Sequence, residues 1–308
     1  MELFCIVGPT ATGKTRLSVA LAQKLGAEIV SCDSMQLYRG MDIGTAKPTA
    51  AEMGGVKHHM LDCVDPQEEF SVSRYVELTE ACVQEILSRG KPVIVVGGTG
   101  LYVDSLVAGR EFAPFPQTGR REALTLRAQR EGIEPLMEEL RAVDPEAAAN
   151  IHPSNQKRVI RALEVYLETG KTITEHNRET QSRPPKYCPL WIGLDYVNRS
   201  ALYARIDARV DEMFAQGLVE EVRRLLESGV PPTATSMQAI GYKELTAFLR
   251  GEDSVDAARE KIKLASRRYA KRQRTWFRRN ADIHWIELPD APDFDAVLRQ
   301  AEEICAGQ

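Results

Sequence analysis

No run in this chain approaches the roughly 20 consecutive apolar residues that a membrane-crossing helix requires, so a membrane-spanning class is not expected. The first apolar stretch, "LFCIVG", has no basic segment before it and no small-residue cleavage site after it, so it is expected to be a buried strand and not an export signal. Cysteine pairs at C-x-x-C spacing are missing too. Cys5, Cys32, Cys63, Cys82, Cys188 and Cys305 are scattered, which fits reduced thiols in a cytoplasmic protein. Histidines are few: five in all, with one adjacent pair, His58-His59, and no metal-ligand spacing, so a protein-bound zinc site is not expected. Acidic residues vanish from 261–280, "KIKLASRRYAKRQRTWFRRN", which holds nine of the 40 basic residues. The rest of the chain then carries 31 basic against 44 acidic residues, although the whole has a net charge of only −4. A basic block on an acidic body points to a local polyanion site, whereas a generally adhesive protein would be basic throughout.

What is present in the first third is alternation of strand and helix signals. "LFCIV" runs into a glycine loop, and "RLSVALAQKLG" reads as a helix closed by Gly26. "AEIVSCD" is a second strand, the stretch 71–90 a helix, and "KPVIVVGGTG" a third strand entering glycines. Strands and helices alternating at this length predict an α/β fold, a parallel sheet covered on both faces. Ligands of such sheets sit at the carboxyl ends of the strands. Here those ends are the glycine loop, Asp33-Ser-Met-Gln36 and Gly97-Gly-Thr-Gly100, expected to converge on one crevice.

Two proline-rich stretches, 112–119 and 182–189, bracket a segment with helical signals only and a single aromatic residue, Tyr166. The expected organisation is a core domain from 1–112 and 186–308, with a small all-helical insertion domain at 113–185. "LWIGLDY" marks the return to the sheet, followed by a long amphipathic helical region, a loop opening a helix at "PPTATSMQAIGYKEL", the basic helix, and a last strand "DIHWIEL".

The glycine loop Gly8, Pro9, Thr10, Ala11, Thr12, Gly13, Lys14 and Thr15 has the phosphate-loop pattern, with the preceding strand and following helix in place. Successive backbone N–H groups and a helix N-terminus converge on an anion in such a loop. Lys14 would add a point charge, and the Thr15 hydroxyl a magnesium ligand. The pattern usually announces ATP or GTP, but it specifies a polyphosphate, and a diphosphate serves as well. Asp33 reads either as a helix cap or as a carboxylate facing the phosphates, suited to general base work. Thr99 is either a turn residue or a donor to a phosphate oxygen.

In the basic helix, Arg267, Lys271, Arg274 and Arg278 share one face at spacings of four, three and four. Ile262, Ala265, Tyr269 and Trp276 form an opposing apolar seam, flanked by Arg268, Arg272 and Arg279. A charge run is usually a solvated face. No acid stands at i+4 to neutralise this one, which points to a nucleic acid.

Taken together, "GPTATGKT", "DSMQLYRGMDIGTAKPT", "HHMLDCVDP", "VVGGTGLYV", "RALEVYLETGK", "LYARIDARVDEMFAQGLVEEV", "MQAIGYKEL" and "KRQRTWFRR" resemble, in order, the bacterial tRNA dimethylallyltransferases, from Gly8 to about Trp285. The resemblance implies transfer of a dimethylallyl group from dimethylallyl diphosphate to N6 of the adenosine 3′ of the anticodon, in tRNAs reading codons that begin with U. It also implies a phosphate-loop core like that of nucleotide kinases and a helical insert that grips the anticodon stem-loop. On that basis the residues from Gly8 to Thr15 hold the diphosphate, with Mg²⁺ near Thr15. Asp33 accepts the N6 proton, Thr99 assists at the diphosphate end, and Arg121 sits near the reacting groups.

The stretches matching the family's tRNA contacts are Asp33, Ser34, Met35 and Gln36; Lys157, Arg158, Val159, Ile160 and Arg161; Gln238, Ala239, Ile240, Gly241, Tyr242 and Lys243; and Lys271, Arg272, Gln273, Arg274, Thr275, Trp276, Phe277 and Arg278. Without the resemblance, Arg158 and Arg161 would read as ordinary helix surface and Tyr242 as a packed core aromatic. One departure is Asn155, where the family often has an acidic residue; it is expected still to cap its helix. The expected enzyme is a cytoplasmic monomer. Competing readings are an adenylate prenyltransferase acting on free nucleotide, a small-molecule kinase, and a non-catalytic phosphate-loop protein that binds RNA.

Overall fold

The computed structural model describes residues 2–110, 118–181 and 184–307. Contacts divide the chain into two compact units, residues 1–109 with 186–308, and residues 110–185. The proline-rich brackets of the sequence fall partly on 111–117 and 182–183, outside the described residues.

The first unit is built on a six-stranded sheet: β1 (Leu3–Val7), β2 (Glu28–Ser31), β3 (His58–His59), β4 (Val93–Gly97), β5 (Leu190–Tyr196) and β6 (Ile283–Leu288). The spatial order is β3-β2-β4-β1-β5-β6, and every neighbouring pair is parallel. β1 and β5 are buried along their whole length, which is why they read as unbroken apolar runs and not as alternations. Two residues of β3 pair at the edge, too short a strand to leave a period in the sequence, so the expected third strand is the fourth.

Helices cover the sheet: α1 (Lys14–Leu25), α2 (Ala50–Met53), α3 (Val72–Ser88) and α4 (Gly100–Ala108) precede the second unit. That unit consists of α5 (Arg120–Glu131), α6 (Glu134–Val143), α7 (Pro145–Asn150), α8 (Gln156–Thr169) and α9 (Ile173–Gln181). Its own core joins Leu124, Leu136, Met137, Leu140, Val159, Ile160 and Leu163. Buried Asp144 caps α7 through the Ala147 amide (3.0 Å) and accepts from the Thr174 hydroxyl (2.7 Å), tying α9 down. Asn155 does occupy the position before α8, but its side chain makes no capping bond.

Back in the first unit come α10 (Arg199–Ala215), α11 (Leu218–Glu227), α12 (Tyr242–Leu249), α13 (Val255–Phe277) and α14 (Phe294–Ala306). The expected single region over 199–229 is split by Gly217 at φ 97°, where the left-handed backbone ends one helix and starts the next. Ion pairs from Asp207 to Arg267 (2.7 Å) and from Asp211 to Lys263 (2.9 Å) set α10 and α13 side by side and antiparallel. α14 packs its Val297 and Ala301 on the main core. No helix among the described residues is long and apolar enough to cross a membrane, and all six cysteines are free thiols.

Candidate functional site

The loop after β1 closes on itself. Thr12 Oγ1 and Lys14 Nζ both donate to the Pro9 carbonyl, at 2.9 and 2.6 Å. Gly8 takes φ 136°, and a Cβ there would lie 2.2 Å from the Leu194 carbonyl oxygen, so only glycine lets β1 turn against β5. Among the described residues the Thr15 hydroxyl has no protein partner, and Thr15 lines a small cavity of about 70 Å³. That cavity is also lined by Lys14, Ser31, Asp33, Gly97 and Gly98, so the three strand ends do meet at one place.

Asp33 follows β2 in a turn held by its own side chain. Oδ1 accepts from the amides of Met35 (2.9 Å) and Gln36 (3.4 Å). Burial pushes its carboxyl up, against the pull of those amides, Lys14 and Arg209. Burial also lowers Lys14, helped by the neighbouring Arg209 charge and opposed by Asp33, to about 7. Thr99 stands one step behind: its Oγ1 accepts from the Ser34 amide (3.2 Å), and it lines neither cavity described here. That bond braces the Asp33 turn.

A second cavity, of about 340 Å³, opens from the same point; Thr10, Asp33, Thr45 and Arg209 line both. Met35, Ile206, Val210, Met213, Leu218 and Ile262 give it an apolar wall, and Ser34, Gln238, Lys243, Tyr269 and Arg272 a polar one. Arg209 was not singled out from the sequence. Its Nη1 donates to Thr10 Oγ1 (3.3 Å), and burial lowers its guanidinium despite the Asp33 charge. The available signal was a cation three residues after Ile206, beside the apolar stripe of α10.

Glu221 was missed in the same way, an acid on the stripe Leu218, Val222 and Leu225. Buried at 2% exposure, it accepts from the amides of Asp42, Ile43 and Gly44 at 2.9, 2.8 and 3.0 Å. The Tyr242 hydroxyl also donates to it (2.6 Å). Tyr242, in a stretch matched to tRNA contacts, is buried and through Glu221 braces the loop at 42–44, whose Gly44 lines the larger cavity. Gln36 is similarly engaged, donating to the carbonyls of Thr45 and Ala46 (both 3.2 Å).

The basic helix α13 needs the largest correction. Several of its cations are paired. Arg267 meets Asp207 (2.7 Å), and Arg274 and Arg278 share Asp195 of β5 at 2.7 and 3.3 Å. The counter-charges come from other elements, which spacing along one helix cannot reveal. The buried seam is Ala258, Ile262, Ala270, Gln273 and Phe277, not the expected Ala265 and Trp276. Phe277 is core, whereas Trp276 is half-buried with its indole N–H on Asp104 (2.8 Å). Gln273 is 4% exposed and spans the crevice floor, accepting from the Thr10 amide (2.9 Å) and donating to the Gly98 carbonyl (3.0 Å). A Cβ on Gly98 would lie 2.0 Å from the Gln273 amide nitrogen, so that glycine makes room for the strut. Lys271, Arg272, Thr275 and Arg278 remain exposed.

In the second unit, Lys157 and Arg158 are exposed, while Val159 and Ile160 are core. Arg121 (Nη2, 3.0 Å) and Arg161 (2.9 Å) both grip Glu164. Burial would raise the Glu164 carboxyl, but the bonds from Arg161 and Arg121 outweigh it and hold it below its ordinary range.

Comparison with known proteins follows the same lines. The IPP transferase family profile matches residues 36–280. A protein of Caldanaerobacter subterraneus subsp. tengcongensis named tRNA dimethylallyltransferase is 48% identical over 310 aligned residues, covering 100% of this chain and 98% of that protein. The full-length tRNA isopentenylpyrophosphate transferase of Bacillus halodurans superposes with a TM-score of 0.75 at 43% identity, over 99% of this chain and 96% of the other. A eukaryotic dimethylallyltransferase acting on tRNA superposes at 0.83 with 28% identity, over 100% of this chain and 80% of its own. With its phosphate-loop crevice opening into a second, half-apolar cavity and with these matches over its whole length, the chain belongs to the IPP transferase family.

Proposed function

We propose that the protein transfers a dimethylallyl group from dimethylallyl diphosphate to N6 of the adenosine 3′ of the anticodon, in tRNAs reading U-initial codons. One observation carries the reading: Asp33 lines both the phosphate-side cavity and the larger half-apolar one. A carboxylate at that junction stands where an acceptor amine would meet the carbon bearing the diphosphate.

In this reading the amine nitrogen forms a bond to C1 of the donor as the C1–O bond breaks, and Asp33 takes the N6 proton. Its Oδ1 is occupied by two backbone amides, and no protein bond among the described residues falls on Oδ2. A carboxyl raised by burial suits a group that must hold a proton briefly. Loop amides, Lys14 and Arg209 receive the charge that builds on the leaving oxygens. The apolar wall of Ile206, Val210, Met213 and Leu218 takes the prenyl chain. A base can enter only by leaving its stack, so a flipped adenosine is expected.

A magnesium ion fits the donor set, because the unbonded Thr15 hydroxyl and the phosphate oxygens are the hard ligands it prefers. When bound it would supply further charge stabilisation on the diphosphate. Thr99 acts on the diphosphate end through the Asp33 turn, Arg121 sits near the reacting groups, the second unit holds the anticodon stem-loop, and the enzyme works as a cytoplasmic monomer.

The test is incubation of total tRNA with Mg²⁺ and either radiolabelled dimethylallyl diphosphate or radiolabelled ATP. Label should enter RNA from the prenyl donor alone; label passing from ATP to a small molecule supports a kinase instead. Asp33→Ala should reduce transfer about 10³-fold while RNA binding is retained, and unchanged transfer would sink the general-base role.

A further inference from the structure

Beyond the two cavities at the phosphate loop, a third groove of about 280 Å³ lies further along the α10–α13 seam, lined by Arg199, Tyr203, Lys271, Arg274, Thr275 and Arg278. α10 contributes Arg199 and Tyr203, one turn apart on the face that continues through Ile206 and Val210 into the larger cavity. α13 contributes the others, facing them from the antiparallel neighbour. The charge in this groove is unbalanced. Arg274 and Arg278 share the single carboxylate of Asp195, itself fully buried, and among the described residues neither Arg199 nor Lys271 has an acidic partner. Four cations around one carboxylate repel one another unless an anion enters. Arg199 and Lys271 are exposed, so their charge costs nothing to keep solvated and stays available. Arg278 is held over the Trp285 ring at 4.3 Å, and the Thr275 hydroxyl is turned back to the Lys271 carbonyl (3.0 Å). Two of the cations are thus fixed in place and two are free to close on a ligand.

We propose that Arg199 and Tyr203, with Lys271, Arg274 and Arg278, form a second anion site that takes a backbone phosphodiester of the RNA whose base occupies the larger cavity. The proposal rests on the RNA reading above and adds to it two residues of α10 outside the basic helix. Arg199 and Arg209 are ten residues apart, about 15 Å along a helix, so one strand reaches from the Asp33 junction to the groove. A phosphodiester suits the lining better than a carboxylate ligand, because several arginine forks and an ammonium converge on it.

The probe is a labelled anticodon stem-loop RNA, titrated over a range of salt concentrations against wild type, Arg199→Ala, Lys271→Ala, Arg199→Lys and, as a control for lost charge elsewhere, Arg299→Ala. Arg199→Ala and Lys271→Ala should each weaken binding about fivefold and lower the slope of log affinity against log salt by about one. Arg199→Lys should recover most of the slope, and Arg299→Ala should match wild type. Melting temperatures of the exposed-residue variants should stay at the wild-type value, separating contact from folding. Unchanged slopes in both alanine variants, with wild type still binding and prenylating the RNA, overturn the groove and leave the proposed function standing. A raised KM for dimethylallyl diphosphate with RNA affinity intact overturns it in favour of a second diphosphate site. Wild type that binds no stem-loop at all removes both readings.

Discussion

The two halves of α13 carry similar numbers of cations and differ in what stands opposite them. In the N-terminal half, Lys261 meets Asp253, Lys263 and Arg259 meet Asp211, and Arg267 meets Asp207. In the C-terminal half, Arg274 and Arg278 divide one buried aspartate, and Lys271 has no acidic partner among the described residues. The first half is a neutralised seam that fastens α13 to α10; the second is a reserve of positive potential. The decisive acids lie 60 and 79 residues from their arginines. A charge run is therefore a polyanion site only where the tertiary neighbours leave it uncompensated.

The strongest way to break this contrast is to remove Asp195. Asp195→Ala strands Arg274 and Arg278 without their counter-charge and should lower stability by about 2–3 kcal/mol, a drop in Tm of about 5 °C, measurable by calorimetry. For the same reason Arg274→Ala is a poor probe of RNA contact, because it leaves a buried carboxylate with only the longer Arg278 contact.

A smaller effect separates the third, inward face of the helix from both halves. Gln273→Ala removes the strut between Thr10 and Gly98, and should raise KM for dimethylallyl diphosphate about tenfold, roughly the worth of one or two hydrogen bonds. RNA affinity should change less than about twofold. Steady-state kinetics with each substrate varied in turn would show it, and an equal loss in both parameters would mean general unfolding of the loop.

The mildest test makes one half resemble the other. Asp207→Asn frees the Arg267 charge, should cost less than about 1 kcal/mol because the pair is half-exposed, and should strengthen RNA binding about twofold at low salt. A weaker or unchanged affinity would show that the N-terminal half lies off the RNA path.

Much of the core was legible because its signals are local. β1, β2, β4 and β5 are short apolar runs bounded by loops, and Gly8 to Thr15 must turn as they do once β1 feeds α1. Asp33 was legible as the polar residue after a buried strand. β3 and α14 were not singled out, the first because two residues leave no period. Arg209 and Glu221 were missed because a charge on an apolar stripe reads as an imperfection until its partners, Thr10 in one case and three loop amides in the other, are seen. Tyr242 and Gln273 fall in stretches matched as a whole to tRNA contacts, and a stretch does not tell which of its side chains turn inward, since a helix sets adjacent side chains about 100° apart.

By itself the sequence determined the parallel sheet, the phosphate loop and the meeting of three strand ends, since each follows from backbone sterics and burial within a few residues. Only the tertiary structure decided which cations are neutralised, which aromatic is a brace and which glutamine is a strut. Those depend on Asp195, Asp207 and Glu221 arriving from distant elements, and electrostatic and hydrogen-bond partners are set by proximity in space, which spacing along the chain does not encode.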